Sequence, residues 1–120
     1  FNGCIAVIVG VCNNSVGEAI AMQCIIEEGI HVAMVDIEQN KKSLANLHGK
    51  LDKLNKNRVQ IESFCVENSN YLQPQQIQDL IANIQRKFNT HCIQFLFNNV
   101  DCLMSHKHST DIPYLLTNDA

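Results

Sequence analysis

Two glycines and one carboxylate are the residues whose types and spacing could do chemistry. Gly10 and Gly17 bracket the stretch Val11-Cys12-Asn13-Asn14-Ser15-Val16, and Asp36 stands 19 residues beyond Gly17. A glycine that ends an apolar run, followed by small polar residues and then a helix, aims backbone N–H groups and the positive end of a helix dipole at one spot. That arrangement suits a phosphate. Ser15 offers a hydroxyl to cap the helix or to donate to an oxygen, and Asn13 or Asn14 tolerates left-handed backbone. On this turn alone, an anion cradle and an ordinary strand-to-helix turn with a Ser15 cap fit equally well. A carboxylate at the tip of the next strand is where a dinucleotide fold accepts the ribose hydroxyls, although it could also cap the helix that follows. A negative charge there repels a 2′-phosphate, so the expected preference is NAD over NADP.

These residues need a particular frame to meet. Residues 4–9 form a continuous apolar run with β-branched members, the pattern of a parallel strand covered on both faces. Val16, Ala19, Ile20 and Ile26, with Cys24, recur near helical spacing, and Gly29 stops that helix. Residues 30–35 make a second strand that ends at Asp36. Residues 38–55 are polar apart from the stripe Leu44, Leu47, Leu51 and Leu54, which predicts a surface helix. Residues 58–64 alternate as a third strand, with Cys65-Val66 at its end. Pro74 starts a helix carrying the stripe Ile77, Leu80, Ile81, Ile84 and Phe88. Residues 92–97 form a fourth strand, closed by Asn98-Asn99. This βαβαβαβ alternation implies an α/β fold, a Rossmann-like doubly wound parallel sheet in three α/β/α layers with strand order 3-2-1-4. The crevice then lies at the carboxyl ends of strands 1 and 4. Residues 1–100 form the dinucleotide-binding region, and residues 101–120 read as an irregular tail.

Composition narrows the classes. The chain has 120 residues, 46% of them hydrophobic, enough for one domain with one real core. A formal charge of −3 and no clustered Lys or Arg argue against a nucleic-acid surface. No apolar run approaches the ~20 residues of a bilayer span and no leader precedes the first strand, so a soluble, cytoplasmic protein is expected. The six cysteines fall largely within predicted elements and read as small buried hydrophobes of a reducing compartment. No metal site is expected; Cys102, His106 and His108 read as a polar loop. The fourth strand is apolar enough to pair with another chain at its edge, so homo-oligomers are expected.

The same residues resemble the amino-terminal half of a short-chain dehydrogenase/reductase. The likeness rests on VGVCNNSVGEAIA after the first strand, Asp36 after the second, Cys65-Val66 after the third and FNNVD after the fourth. It implies a cofactor site built from Gly10, Cys12, Asn13, Ser15, Val16, Gly17, Asp36, Ile37, Cys65, Val66, Asn98, Asn99 and Val100. The sequence departs from the family's T-G-x-x-x-G-x-G turn: Val9 replaces the Thr, Ser15 stands at the middle glycine, and the turn is one residue longer. Serine in the turn also occurs in the enoyl-reductase branch. Cys65-Val66 lacks the carboxylate of the family's Asp-Val pair, and Asn98-Asn99-Val100-Asp101 keeps the amides of N-N-A-G without its glycine. Family catalysis implies a Ser and a Tyr-x-x-x-Lys set, where the Lys lowers the pKa of the Tyr that handles the carbonyl proton. Tyr114 has Asn118 four residues on, so no catalytic residue is assigned. The expectation is the NAD(P)-binding part of such an oxidoreductase, truncated and catalytically incomplete. The alternative is a degenerate, non-enzymatic relative acting as a nucleotide-binding or interaction module.

Overall fold

Why the first apolar run is buried on both sides is plain from its alternation. The computed structural model describes residues 3–67, 73–90 and 92–99. In β1 (Ile5–Val9) every residue is buried. Ala6 and Ile8 enter one core, while Ile5, Val7 and Val9 enter a second core on the opposite face. The strand is central: it pairs in parallel with β2 (His31–Ile37), Val7 opposite Ala33, and with β4 (Phe95–Asn98), Val7 opposite Leu96. The edge strand β3 (Ile61–Val66) pairs with β2, and the sheet runs β3-β2-β1-β4, all parallel.

Helices cover both faces. On one side, Ala21 of α1 (Ser15–Met22), Cys24 and Ile25 just after it, and Leu44, Leu47 and Leu51 of α2 (Lys41–Leu54) pack on Ala6, Ile8, Val32, Met34 and Ile61. On the other, Leu80, Ile84 and Phe88 of α3 (Pro74–Phe88) pack on Ile5, Val7, Val9, Ala33 and Val35. This is the expected three-layer, partial Rossmann-like α/β fold. Leu44 and Leu51 are essentially inaccessible, and burying a leucine contributes roughly 1.5–3 kcal/mol. Among the described residues no helix is long and apolar enough to cross a membrane.

Several local expectations are corrected. The first helix buries Gly17, Ala21, Cys24 and Ile25; of the expected stripe, Ile20 and Ile26 are half-buried against the same core, whereas Val16 and Ala19 are exposed. Val16 is exposed, because small residues at 17 and 21 let the helix lie close to the sheet, and residues 23–28 then widen into a π turn that shifts the phase. Gly29 ends that turn as expected, in left-handed backbone with φ of 65°. The second strand runs on through Asp36 to Ile37. The third begins only at Ile61, since Arg58 turns the chain with φ of 55°. Ile81 is largely exposed, on the flank of α3. The fourth strand starts at Phe95, so Cys92 lies before it and is exposed rather than a buried hydrophobe. Cys4, Cys12 and Cys65 are half-buried and Cys24 is buried; each of these five described cysteines is a free thiol. Val100 and residues 101–120, with Cys102, His106, His108 and Tyr114, lie outside the described residues.

Candidate functional site

The chain leaves β1 toward α1 on one face of the sheet, whereas β4 arrives from α3 on the other. Between β1 and β4 the order therefore reverses, the place at which open α/β sheets commonly bind ligands beyond the carboxyl ends of their strands. The Gly10 turn lies at this point. Gly10 has φ of 74°, and a Cβ placed on it would come 2.6 Å from the Asn99 carbonyl oxygen beyond β4. Only glycine meets both conditions. Gly17 is required for a different reason: its Cβ would come 2.3 Å from the carbonyl oxygen of Val11, so α1 rests directly on the turn backbone.

Asparagines close the turn. Asn14, not Ser15, caps α1: its backbone is extended, and its Oδ1 accepts from the Val16 amide at 2.9 Å. Ser15 is already the first helical residue. Asn13 Nδ2 donates to the Asn99 carbonyl at 2.9 Å. Asn99 Nδ2 donates to the Gly10 carbonyl and to Asn14 Oδ1, each at 3.0 Å. β4 is thus stitched to the turn by side chains as well as by the Asn99 amide, which donates to the Val9 carbonyl at 2.8 Å. Asn98 is exposed at the end of β4, opposite Val9.

Asp36 is the one charged residue in the described core, only 3% exposed. Its Oδ2 accepts from the Cys12 amide at 2.7 Å, and its Oδ1 accepts from the Ile37 amide at 2.8 Å and from Asn40 Nδ2 at 2.7 Å. It does not cap α2, which is preceded by the 3₁₀ turn Glu38–Asn40 and starts without a side-chain cap bond. Cys65 and Val66 lie opposite Asp36 and Ile37 across the β2–β3 ladder. Burial, the Asp36 carboxylate and a hydrogen bond to it push the Cys12 thiol up to about 11 from an ordinary 9.0. Burial, reinforced by Glu38, also raises the Cys65 thiol.

Of the residues singled out in the sequence, the described ones lie at the carboxyl ends of the four strands and in the turn after β1, with Asp36 within hydrogen-bond distance of the turn. The turn is nevertheless less open than a ready-made anion cradle. The amides of Gly10 and Val11 both go to the Val35 carbonyl, Asn13 donates to the Gly10 carbonyl, and the amides of Cys12 and Val16 meet Asp36 and Asn14. Asn40 was not foreseen; the signal is an Asn one helical turn after the Asp, where the two side chains can meet. A groove of about 330 Å³ lined by Ser63, Phe64, Asn83, Arg86 and Lys87 lies elsewhere, beside β3 and α3. Among the described residues no group of three His, Cys, Asp or Glu could hold a metal ion.

No family model matches the chain, and no curated protein matches it.

Proposed function

We propose that the crevice at the carboxyl ends of β1 and β4 binds a dinucleotide, NAD in preference to NADP, as the cofactor-binding part of a short-chain dehydrogenase/reductase-like oxidoreductase. The observation that carries this reading is the 2.7 Å contact between the Cys12 amide and Asp36 Oδ2, which joins a glycine turn to a buried carboxylate. Asp36 accepts ribose hydroxyls there, the start of α1 near Ser15 and Val16 faces the pyrophosphate, and Asn98 and Asn99 line the far wall. The obligatory Gly10 supports the reading, since it lets the turn close against the Asn99 backbone and so fixes the turn beside the end of β4. The cofactor supplies hydride-transfer capacity; this chain's residues bind and orient it.

The preference follows from charge. Two like unit charges 4 Å apart repel by about 1 kcal/mol in water and about 4 kcal/mol near a protein surface. Since 1.4 kcal/mol is tenfold in affinity, the Asp36 carboxylate discriminates against a 2′-phosphate by an order of magnitude or more. Calorimetry with NADH and NADPH tests this. NADH is expected to bind at least tenfold more tightly, and Asp36→Ala is expected to narrow the gap. Equal binding of the two by the unmodified chain would remove Asp36 from its role.

A second reading has its own observation. The Asn13, Asn14 and Asn99 clasp satisfies the turn internally, as a non-enzymatic interaction module would require. Absence of heat with either nucleotide favours it.

A further inference from the structure

A carboxylate has about four acceptor positions, two on each oxygen, and those of Asp36 are already taken by the chain itself. Three are filled by the amides of Cys12 and Ile37 and by the Asn40 side chain. The Cys12 thiol, a weak donor, interacts at the remaining side. Two of these donors cannot yield. The Ile37 amide belongs to the last residue of β2, fixed by its pairing with Val66. The Cys12 amide sits in a turn held by two bonds to the Val35 carbonyl. Asn40 is different: its amide hangs on rotatable bonds, it is half-buried with access to solvent, and it makes no cap bond to α2.

From this geometry we infer that Asn40 is the plug of the sugar position, a side-chain donor that holds Asp36 Oδ1 until a ribose hydroxyl displaces it. The inference rests on the dinucleotide reading and adds a specificity-determining residue to it. In the free chain Asn40 keeps a buried charge satisfied, which an unpaired Asp36 would not be. When nucleotide enters, Asn40 swings toward solvent and the hydroxyl takes over the same oxygen. The exchange replaces one charge-assisted hydrogen bond by another, so affinity is lower than an open carboxylate would give.

The test is Asn40→Ala, followed by calorimetry with NADH and by thermal unfolding. Removing the competitor is expected to tighten NADH binding about tenfold, the worth of one such hydrogen bond. The melting temperature of the free chain should fall, because the charge loses a donor. A purely structural Asn40 gives the opposite sign in binding: a looser site and equal or weaker affinity. That result, with NADH still bound by the unmodified chain, overturns the plug and leaves the dinucleotide reading intact. No heat from either chain overturns both. As a separate readout, the Asn40 side-chain amide resonance should move on saturation with NADH toward that of a solvated asparagine; an unmoved resonance overturns the plug even if binding tightens.

Discussion

The two ends of the sheet use the same residue type with different partners. At the amino ends of β2 and β3, asparagines repair backbone. Asn57 Nδ2 donates to the carbonyls of Ile25 and Ile26, at 2.8 and 3.0 Å, within the π turn that follows α1. Asn55 bonds both the carbonyl and the amide of Val59, and the Gln60 amide donates to His31 Nδ1. Each of these bonds engages a backbone group that irregular chain would otherwise leave unpaired. At the carboxyl ends Asn13, Asn14 and Asn99 bond backbone of the turn and of the residue after β4, Asn99 also bonds Asn14, and Asn40 bonds a buried carboxylate. Polar groups with alternative partners can be exchanged for a ligand; those that plug backbone cannot. Side-chain pairs of that kind, Asn40 with Asp36 and Asn99 with Asn14, occur at the carboxyl ends, where the proposed site lies.

The largest effect that should sharpen this contrast is Gly17→Ala. A methyl group 2.3 Å from the Val11 carbonyl cannot be absorbed by rotating a side chain, so α1 must lift from the turn. Overpacking of this kind costs ~1–3 kcal/mol, and a backbone clash lies at or above the top of that range. Urea unfolding should show it together with loss of NADH binding; a chain of unchanged stability would mean that α1 does not rest on the turn.

Next comes the amino end. Asn57→Ala removes two hydrogen bonds to carbonyls and should cost about 1–2 kcal/mol in the same urea measurement. NADH affinity should not change. If it changes as much as stability does, the division between the two ends is wrong.

The smallest effect concerns pH. The Cys12 thiol is raised from 9.0 to about 11 in the folded chain, and the Cys24 thiol is also raised, by burial and then by Glu28. The folded state thus holds these protons more tightly than the unfolded chain does. The associated stability is present below pH 9 and is lost as pH rises toward about 11. A urea midpoint that falls over this window, and falls less in Cys12→Ala, is the expected result. A slope unaffected by the substitution would place the Cys12 thiol away from Asp36. Asp36→Asn should also let iodoacetamide react with Cys12 at lower pH, because the neighbouring charge no longer opposes the thiolate.

Much of the architecture was legible because burial leaves a periodic mark. Residues 4–9 could only be a central strand, and Leu44, Leu47 and Leu51 could only face one core. The leucine stripe held because helical phase is local. The stripe of the first helix held only in part: Ile20, Cys24 and Ile26 reach the core and Val16 and Ala19 do not, while a π turn at residues 23–28, which nothing in the sequence marks, adds Ile25. Ile81 also reads as core at helical spacing, yet it is exposed on the flank of α3.

The site divides in the same way. The sequence by itself determined which residues arrive at the carboxyl ends of the central strands. The order of strands and helices places Gly10, Asp36 and Asn99 at the carboxyl ends of adjacent parallel strands, and chain connectivity permits little else. Only the tertiary structure decided how those groups are partnered. Whether the Cys12 amide faces a ligand or Asp36, and whether Asn14 or Ser15 caps α1, depends on angstrom-scale approaches between segments that lie far apart along the chain. Hydrogen bonds are directional and short-ranged, so a spacing pattern can bring donors near an acceptor without choosing among them.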